Sequence, residues 1–315
     1  MRFLSLVKHI LITTTLLLVV NLAHAKLSPS GIVFFGDSLS DMGNNPKAPY
    51  TNAPGIMWPQ VVAEFYGIPY AKSGLYGEVG GNNWAVAGAM TSGSFGVLQQ
   101  VSTYLAQHPT MDPNQIILIW AGPNDFLQRL IDKLPNPDPL NVVVTEAVNN
   151  LVQAYTLLQN AGAKNIIILN MLSLSEIPLA HVYEAIYGRA AIEGLGYAVN
   201  QFNLLLSNAA VRSIDVGSQL GKVFTNPEQY GISNTNSDWL SCEVTAIDNC
   251  DPNKYLFWDL LHPTNAGHKI IAEYIIQTLE TMQPANPHKA QETRDNVSAV
   301  LRGRATPGSS RLGLH

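Results

Sequence analysis

Charge and cysteine are both scarce in this chain. Only 13% of its 315 residues are charged, and the formal net charge is −5. A mildly acidic chain lacks the basic face that phosphate binding requires, so we expect no nucleic acid partner. Cys242 and Cys250 are the two cysteines, and no histidine lies near them in sequence. This shortage argues against a zinc site.

Long apolar runs are missing beyond the N-terminus. Residues 1–25 begin with Arg2 and Lys8, continue with an apolar run over 10–20 and end on the small-x-small pattern Ala23-His24-Ala25. We expect a cleavable signal peptide, with an N-terminal membrane anchor as the alternative, because a membrane span needs about 20 apolar residues. The predicted product is secreted or periplasmic, has no transmembrane segment, and carries a net charge of −7 once the two basic residues are removed.

The remaining chain predicts one domain and a tail. Residues 26–285 are enough for a single sizeable domain with its own core. Residues 286–315 are basic and end in a stretch rich in glycine and serine. We expect a flexible tail there, part of which could derive from an expression vector. We find no internal repeat.

Apolar runs alternate with longer amphipathic segments. The predicted strands cover 31–35, 83–87, 116–120, 166–169 and 211–216. The predicted helices cover 58–66, 97–107, 141–160, 191–210 and 265–282. Strands that are apolar throughout and are followed by helices predict an α/β fold with a mostly parallel sheet covered on both faces. The polar stretch 225–255 is predicted to be rich in loops.

The first chemical signal is a serine just past a strand. The strand at 31–35 runs directly into Gly36-Asp37-Ser38. Sites in parallel sheets assemble at the carboxyl ends of the strands, so Ser38 is a candidate nucleophile with a free hydroxyl. A serine in this position also suits a turn or a helix cap. Asp37 and the nearby Asp41 are expected to serve turn or capping roles.

A candidate base and a set of amide donors follow later in the chain. Asp259 precedes His262 by three residues, so its carboxylate can turn back to the imidazole Nδ1–H and stabilise the charged ring. Gly88 lies in a block of small residues, and Asn124 follows the strand at 116–120. The N–H groups of Ser38 and Gly88 and the Asn124 amide could stabilise an oxyanion. Each of these residues alone also fits a loop, a turn or a packing position.

These blocks together resemble one enzyme family. Gly-Asp-Ser-Leu after the first strand, Gly88, Gly-Pro-Asn-Asp at 122–125 and Asp-x-x-His at 259–262 occur in the order found in the GDSL lipases and esterases, also called SGNH hydrolases. The similarity spans roughly 32–282. The Gly-x-Ser-x-Gly pentapeptide of the α/β-hydrolases is not found.

The resemblance implies a fold and a set of roles. The implied fold is a three-layer α/β/α sandwich of the flavodoxin-like kind, with 26–285 as the SGNH hydrolase domain. Ser38 matches the family nucleophile, His262 its base and Asp259 its acid. Gly88 and Asn124 match the oxyanion-hole residues, although Ala87 stands where many members have glycine. The chemistry implied needs no metal and no organic cofactor.

The resemblance also suggests a substrate class. The opening Phe-Phe-Gly-Asp-Ser-Leu-Ser-Asp and the cysteine pair upstream of Asp259 are similar to the secreted bacterial lysophospholipases and glycerophospholipid:cholesterol acyltransferases. We therefore expect hydrolysis of lysophospholipids or phospholipids at a membrane surface, with acyl transfer as a further activity. A general carboxylesterase, a carbohydrate acetylesterase and a catalytically inactive binding protein on the same scaffold are the alternatives.

An exported chain favours a disulfide between Cys242 and Cys250. We expect this ring to lie beside the mouth of the site, where it acts either as a stabilising staple or as a lid on which an activating protease works. Among the remaining candidates, His268 is expected on a helix surface. The tryptophans Trp58, Trp84 and Trp120 are expected in the core.

Overall fold

The computed structural model describes residues 27–72, 81–209, 211–245 and 250–282. The predicted signal peptide at 1–25 and the predicted tail at 286–315 lie outside these residues. Among the described residues, no helix combines the length and the apolar character needed to cross a bilayer.

A parallel sheet forms the centre of the molecule. Its strands, in spatial order, are β1 (Ile32–Gly36), β2 (Ile116–Trp120), β3 (Asn165–Leu169) and β4 (Ser213–Ile214). All three pairings are parallel, and Ile32 of β1 lies opposite Ile116 of β2. Every residue of β1 and β2 is buried. These strands are apolar throughout because both faces of the sheet are covered.

Helices fill the connections between the strands. In chain order they are α1 (Trp58–Phe65), α2 (Val97–Gln107), α3 (Pro123–Phe126), α4 (Leu140–Asn160), α5 (Pro178–Tyr187), α6 (Arg189–Asn208), α7 (Val216–Thr225), α8 (Trp239–Thr245) and α9 (Asn265–Thr281). α3 continues into one π-helical turn, and 3-10 turns cover Pro227–Tyr230 and Pro252–Lys254. The helices predicted at 58–66, 97–107, 141–160, 191–210 and 265–282 match α1, α2, α4, α6 and α9 to within two residues.

Two neighbouring phenylalanines of β1 show how the helices divide between the faces. Successive side chains of a strand point to opposite faces. Phe34 packs edge-on against Trp58 of α1, with ring centroids 5.5 Å apart. Phe35 packs edge-on against Tyr104 of α2, also at 5.5 Å. α1 contacts α9 on its side, and α2, α4 and α6 pack in sequence on the other. The predicted three-layer α/β/α sandwich is confirmed.

The predicted aromatic core is confirmed as well. Trp58, Trp84 and Trp120 are fully buried, and Trp58 contacts Trp120 edge-on at 5.8 Å. His268, in contrast, does not lie on a helix surface as predicted. Its side chain faces inward from α9 and is completely buried, because it lies one turn after the start of a helix whose inner face is held against the sheet layer.

Two strand predictions differ from the structure. Residues 83–87 form no strand, and Asn83 alone among them makes isolated bridges, one to Phe34 of β1 and one to Lys72. The Asn83 side chain accepts the N–H of Ala85 at 3.1 Å, and such local bonds compete with a regular ladder. The strand predicted at 211–216 shortens to the two residues of β4.

The stretch 225–255 is more ordered than predicted. It contains β5 (Asn234–Asp238) and α8, and β5 pairs in parallel with β6 (Tyr255–Phe257) in a second, two-stranded sheet. The sequence Asn-Thr-Asn-Ser-Asp has low strand propensity, so only the pairing with β6 holds it extended. This small sheet leads the chain from β6 into Asp259 and His262.

Candidate active site

The turn after β1 holds Ser38 in a fixed position. The N–H of Leu39 donates to Asp37 Oδ1 at 3.0 Å, and the N–H groups of Ser40 and Asp41 both donate to the Asp37 carbonyl at 3.0 Å. This is the turn role predicted for Asp37. Ser38 itself is 7% exposed, so it is almost completely buried.

Gly36 is required where β1 ends, because of a close backbone approach. A Cβ at this position would overlap the carbonyl oxygen of Trp120 on β2. The buried Gln100 binds both backbone polar groups of Gly36: the Gly36 N–H donates to Oε1 at 2.9 Å, and Nε2 donates to the Gly36 carbonyl at 2.7 Å. The strand end that carries Ser38 is therefore anchored from two sides.

His262 and Asp259 form a tight local pair. The imidazole Nδ1 lies 2.8 Å from Asp259 Oδ2 and 3.0 Å from Oδ1. The backbone N–H groups of Leu261 and His262 donate to Asp259 Oδ1 at 2.8 and 2.6 Å. Burial raises the pKa of Asp259, but the hydrogen bonds from the His262 ring and these N–H groups outweigh it, so the pKa lies below its ordinary value. The acid is therefore ionised at neutral pH.

Ser38 and His262 meet although 224 residues separate them. The distance from Ser38 Oγ to His262 Nε2 is 2.8 Å. Both side chains are buried, and Nδ1 on the opposite side of the ring faces Asp259. The order hydroxyl, imidazole, carboxylate is the arrangement in which a serine proton can pass to the ring while the acid stabilises the charge.

Asp41 ties the loop of Gly88 to the loop of Ser38. Its Oδ2 accepts the N–H of Ala87 at 2.8 Å, next to Gly88. Its Oδ1 accepts the N–H groups of Gly43 and Asn44 at 2.9 and 2.7 Å. Gly88 has a φ of +81°, a left-handed conformation that favours glycine, and it is exposed.

Asn124 is the second residue of α3, which follows the carboxyl end of β2. The preceding Gly122 has a φ of +134° and turns the chain sharply into this helix. Asn124 Nδ2 donates to the carbonyl of Ala89 at 3.1 Å, which joins it to the loop of Gly88. An amide carries two hydrogens, so one bond to Ala89 leaves the second available to a ligand.

The two predicted backbone donors are free within the described part of the chain. There, the N–H groups of Ser38 and Gly88 donate to no acceptor. The Gly88 carbonyl accepts Gln128 Nε2 at 3.1 Å, which orients this peptide. The three loops that carry Ser38, Gly88 and Asn124 are thus joined by hydrogen bonds at the same edge of the sheet.

Several supporting residues were not predicted. The ring of Tyr50 stacks on the ring of His262, with centroids 4.9 Å apart. Asp125, next to Asn124, accepts the N–H and hydroxyl of Thr91 at 2.8 and 2.7 Å. The Gly-Pro-Asn-Asp motif could have pointed to Asp125. No local signal points to Tyr50, because it meets His262 only through the fold.

Two acids near the site are buried. Burial raises the pKa of Asp37 to about 7, against the opposing hydrogen bond from Leu39. Burial also raises the pKa of Asp125 to about 6, although the bonds from Thr91 lower it. Neither carboxyl contacts the imidazole of His262, so their role is to hold the loops.

The predicted disulfide is present. Cys242 and Cys250 are bonded, with their Cα atoms 5.9 Å apart. Residues 246–249 of the ring lie outside the described residues. The indole N–H of Trp239 donates to the Cys250 carbonyl at 2.8 Å, and Leu240 N–H donates to the Trp258 carbonyl at 2.9 Å. The ring is therefore joined to the residue that directly precedes Asp259.

The chain has relatives at low identity. It is 27% identical, over 82% of its length, to a protein encoded in the trpE-trpG intergenic region of Pseudomonas putida. It is 24% identical, over 79% of its length, to Lipase 1 of Photorhabdus luminescens. The chain spans 50% of each of these two proteins. It is 25% identical to the phosphatidylcholine-sterol acyltransferase of Aeromonas hydrophila, over 69% of its own length and 68% of that protein.

Solved structures with a similar fold include two esterases. A mutant of Axe2, an acetyl-xylooligosaccharide esterase from a Geobacillus, matches 83% of this chain and 99% of its own, at 16% identity and a TM-score of 0.45. The aryl esterase of M. smegmatis matches 80% of this chain and 99% of its own, at 15% identity and a TM-score of 0.47.

The family model of the GDSL-like lipases and acylhydrolases matches residues 32–275. This range includes all four motifs and most of the described structure. The protein therefore belongs to the GDSL-like lipase/acylhydrolase family.

Proposed function

We propose that this protein hydrolyses carboxylic esters with Ser38 as nucleophile, His262 as general base and Asp259 as the acid that orients the ring. The observation that carries this proposal is the 2.8 Å distance from Ser38 Oγ to His262 Nε2, with the ionised Asp259 on Nδ1. Family membership supports the same chemistry. No metal or organic cofactor takes part in the proposed reaction.

The first half of the reaction forms an acyl-enzyme. Ser38 Oγ attacks the ester carbonyl carbon while its proton moves to His262 Nε2. The carbonyl oxygen becomes an oxyanion, for which the N–H groups of Ser38 and Gly88 and the amide of Asn124 are the proposed donors. The carbon–oxygen bond to the alcohol then breaks, and His262 returns the proton to the departing oxygen.

The second half releases the acid. Water attacks the acyl carbonyl, its proton passes to His262 Nε2, and the bond to Ser38 Oγ breaks as the same proton returns to the serine. An alcohol bound in place of water would accept the acyl group instead, so acyl transfer needs no additional residue. The similarity to a phosphatidylcholine-sterol acyltransferase supports testing this branch.

Ser38→Ala tests the nucleophile directly. We expect the variant to lose hydrolysis of a soluble short-chain aryl ester and to lose covalent labelling by a fluorophosphonate probe, while its melting temperature stays close to that of the parent. Labelling of the parent at Ser38 would also exclude an inactive binding protein. Hydrolysis by Ser38→Ala at the parent rate would refute the assignment.

We propose phospholipids or lysophospholipids as the substrate class. The support is the similarity to a lipase and to an acyltransferase named for phosphatidylcholine. Mass spectrometry of products from a mixed lipid extract tests this class. Release of long-chain fatty acids is expected from the parent and not from Ser38→Ala. Release of acetate from acetylated sugars without any fatty acid would favour a carbohydrate acetylesterase, and release from soluble esters alone would favour a general carboxylesterase.

We also propose that the protein is exported by residues 1–25 and acts outside the cytoplasm, with 26–285 as the hydrolase domain. The bond between Cys242 and Cys250 supports this placement, because disulfides persist in oxidising compartments. N-terminal sequencing of the exported protein should begin at Lys26. A first residue upstream of the apolar run over 10–20 would support a retained anchor instead.

The disulfide ring is proposed as either a staple or a lid. The bond from Leu240, two residues before the ring, to the Trp258 carbonyl supports a position beside the loop of Asp259. If it acts as a lid, cleavage by a protease between Glu243 and Asn249 should change hydrolysis of a lysophospholipid but not of a small aryl ester. Unchanged rates on both substrates would indicate that the ring only stabilises the fold. A matched digest of Ser38→Ala controls for ester hydrolysis by the protease itself.

A further inference from the structure

The helix α5 presents an unusual outer face. Of its ten residues, only Pro178 and Ala180 are buried. Val182 and Ile186 are 39% and 62% exposed, and they lie one turn apart on the same side of the helix. Tyr187 is 43% exposed, and its ring contacts that of Tyr183 with centroids 5.9 Å apart. We call these four side chains, Val182, Tyr183, Ile186 and Tyr187, the α5 patch.

The α5 patch lies at the edge of the sheet that carries the candidate active site. α5 follows the carboxyl end of β3, the same edge from which Ser38 and Asn124 emerge. The N–H of Leu179, in the first turn of α5, donates to the carbonyl of Leu260 at 2.8 Å. Leu260 lies between Asp259 and His262, so α5 is attached directly to the turn of the acid and the base.

None of the four side chains of the α5 patch carries a charge. The acid of α5 is Glu184, and its Oε1 lies 3.1 Å from Nε of Arg189 at the start of α6. Burial raises the pKa of Tyr183, and the nearby negative charge of Asp132 raises it further, so the surroundings of the patch do not attract anions. The chain as a whole carries −5, which disfavours an anionic partner. Tyrosine rings combine an apolar body with a polar tip, which suits a boundary between water and an apolar phase.

The size of the patch argues against a second protein. A ten-residue helix is about 15 Å long and about 10 Å wide, so its outer face covers roughly 150 Å². A stable protein interface buries about 800 Å² on each partner. A lipid surface requires no such area, because a few apolar side chains can insert between head groups.

The geometry points to the α5 patch as the surface by which this enzyme docks on a zwitterionic lipid surface, with its candidate active site towards the lipid. This inference rests on the proposed lipid substrate and identifies the part of the molecule that reaches it. Docking through α5 would place Leu260 and the neighbouring His262 close to the lipid boundary, where the ester bonds of phospholipids lie.

The test separates docking from hydrolysis. Full-length Ser38→Ala, which leaves vesicles intact, is mixed with phosphatidylcholine vesicles, and the bound fraction is measured by flotation. Val182→Asp/Ile186→Asp in the same background should lower the vesicle affinity at least about tenfold. Leu204→Asp is the matched control, because Leu204 is 53% exposed on α6 but lies about 22 Å along that helix from Arg189. The control should bind as Ser38→Ala does.

Two further measurements make the result decisive. With Ser38 present, both aspartate variants should hydrolyse a soluble aryl ester at the parent rate, and Val182→Ala/Ile186→Ala should reproduce the binding loss if the aspartates unfold the helix. Equal binding by the α5 variant and Ser38→Ala, no binding of Ser38→Ala to phosphatidylcholine, or tighter binding to vesicles with added phosphatidylglycerol would each overturn the inference. A protein that floats through α5 but releases no fatty acid would refute the lipid substrate and leave the docking surface standing.

Discussion

The phenol ring of Tyr50 lies nearly parallel to the imidazole of His262, with ring centroids 4.9 Å apart and an angle of 28° between the planes. The loop that carries Tyr50 is fastened to the residues after His262. Thr51 Oγ1 donates to the Pro263 carbonyl at 2.9 Å, and Asn265 N–H donates to Asn52 Oδ1 at 2.8 Å. Tyr50 therefore restricts the ring that receives the serine proton, and its π face is available to the imidazolium.

Loss of this stacking should slow catalysis without weakening binding. Tyr50→Ala is expected to lower kcat for a soluble aryl ester by about three- to tenfold, because a stacked aromatic pair contributes about 0.5–1.5 kcal/mol beyond its buried area. KM should change little. Tyr50→Phe keeps the ring and should retain the parent kcat. A parallel rise in KM for Tyr50→Ala would indicate that Tyr50 contacts the substrate instead.

Removal of one oxyanion donor should be costly. Asn124→Ala is expected to reduce kcat by about 10²–10³-fold, measured on the same soluble ester. Gln128→Ala is the matched amide deletion one turn later, and it removes only the bond to the Gly88 carbonyl. We expect a loss of less than about tenfold from this control. Similar losses for the two variants would show that Asn124 supports the loop rather than the transition state.

Replacement of Asp41 by asparagine should lower both stability and activity. Both of its oxygens accept backbone N–H groups, Oδ2 from Ala87 and Asn45 and Oδ1 from Gly43 and Asn44. In Asp41→Asn the NH₂ group faces donors in either orientation. We expect about 1–3 kcal/mol less stability in a denaturant titration and a lower kcat, because the loop of Gly88 loses its anchor. Asp132→Asn, at an exposed carboxylate that accepts no hydrogen bond from the described residues, should change neither quantity.

The buried His268 should lower the stability of the folded protein as the pH falls. Burial lowers the pKa of His268 from 6.5 to about 3. Its neutral form therefore contributes stability that is complete above about pH 6.5 and is lost as the pH falls towards 3, since the unfolded chain binds the proton first. His268→Phe should gain about 2 kcal/mol relative to the parent between pH 7 and pH 5. A difference that does not change with pH in urea titrations would contradict this.

Asp37 should make the protein less stable as the pH rises, the opposite of the effect of His268. Its pKa is raised from 3.8 to about 7, so its contribution is complete below about pH 3.8 and is lost as the pH rises through 7. Relative to the parent, Asp37→Asn should gain roughly 2–3 kcal/mol of stability between pH 5 and pH 8. The exposed Asp132→Asn should run parallel to the parent over this range. A parallel profile for Asp37→Asn as well would show that Asp37 is ionised in the folded protein.

The elements that could be predicted share one property. β1, β2 and α2 have patterns that the fold does not override: the strands are apolar at every position, and α2 repeats its buried side chains at helical spacing. α5 was not predicted, although most of its residues are apolar. β5 was missed because its polar residues are extended only by their pairing with β6.

In the candidate site, too, the residues with a local sequence signal were predicted and those without one were not. Short motifs identified Ser38, Gly88, Asn124, Asp259 and His262, because each carries its signal within a few residues. The supporting contacts have no such signal. Tyr50 reaches His262 across 212 residues, and Gln100 holds Gly36 from the other side of β1. Such contacts depend on which loops emerge at the same edge of the sheet, and that depends on the order of the strands.

By itself, the sequence determined the α/β class, the family motifs and the local pair of Asp259 and His262, since each depends on periodicity or on neighbours in the chain. Tertiary structure alone decided that His268 is buried, that Asp37 and Asp125 have raised pKa values and that the outer face of α5 stays exposed. These properties come from what surrounds a side chain in space, and burial in a close-packed core is set by the whole fold at once.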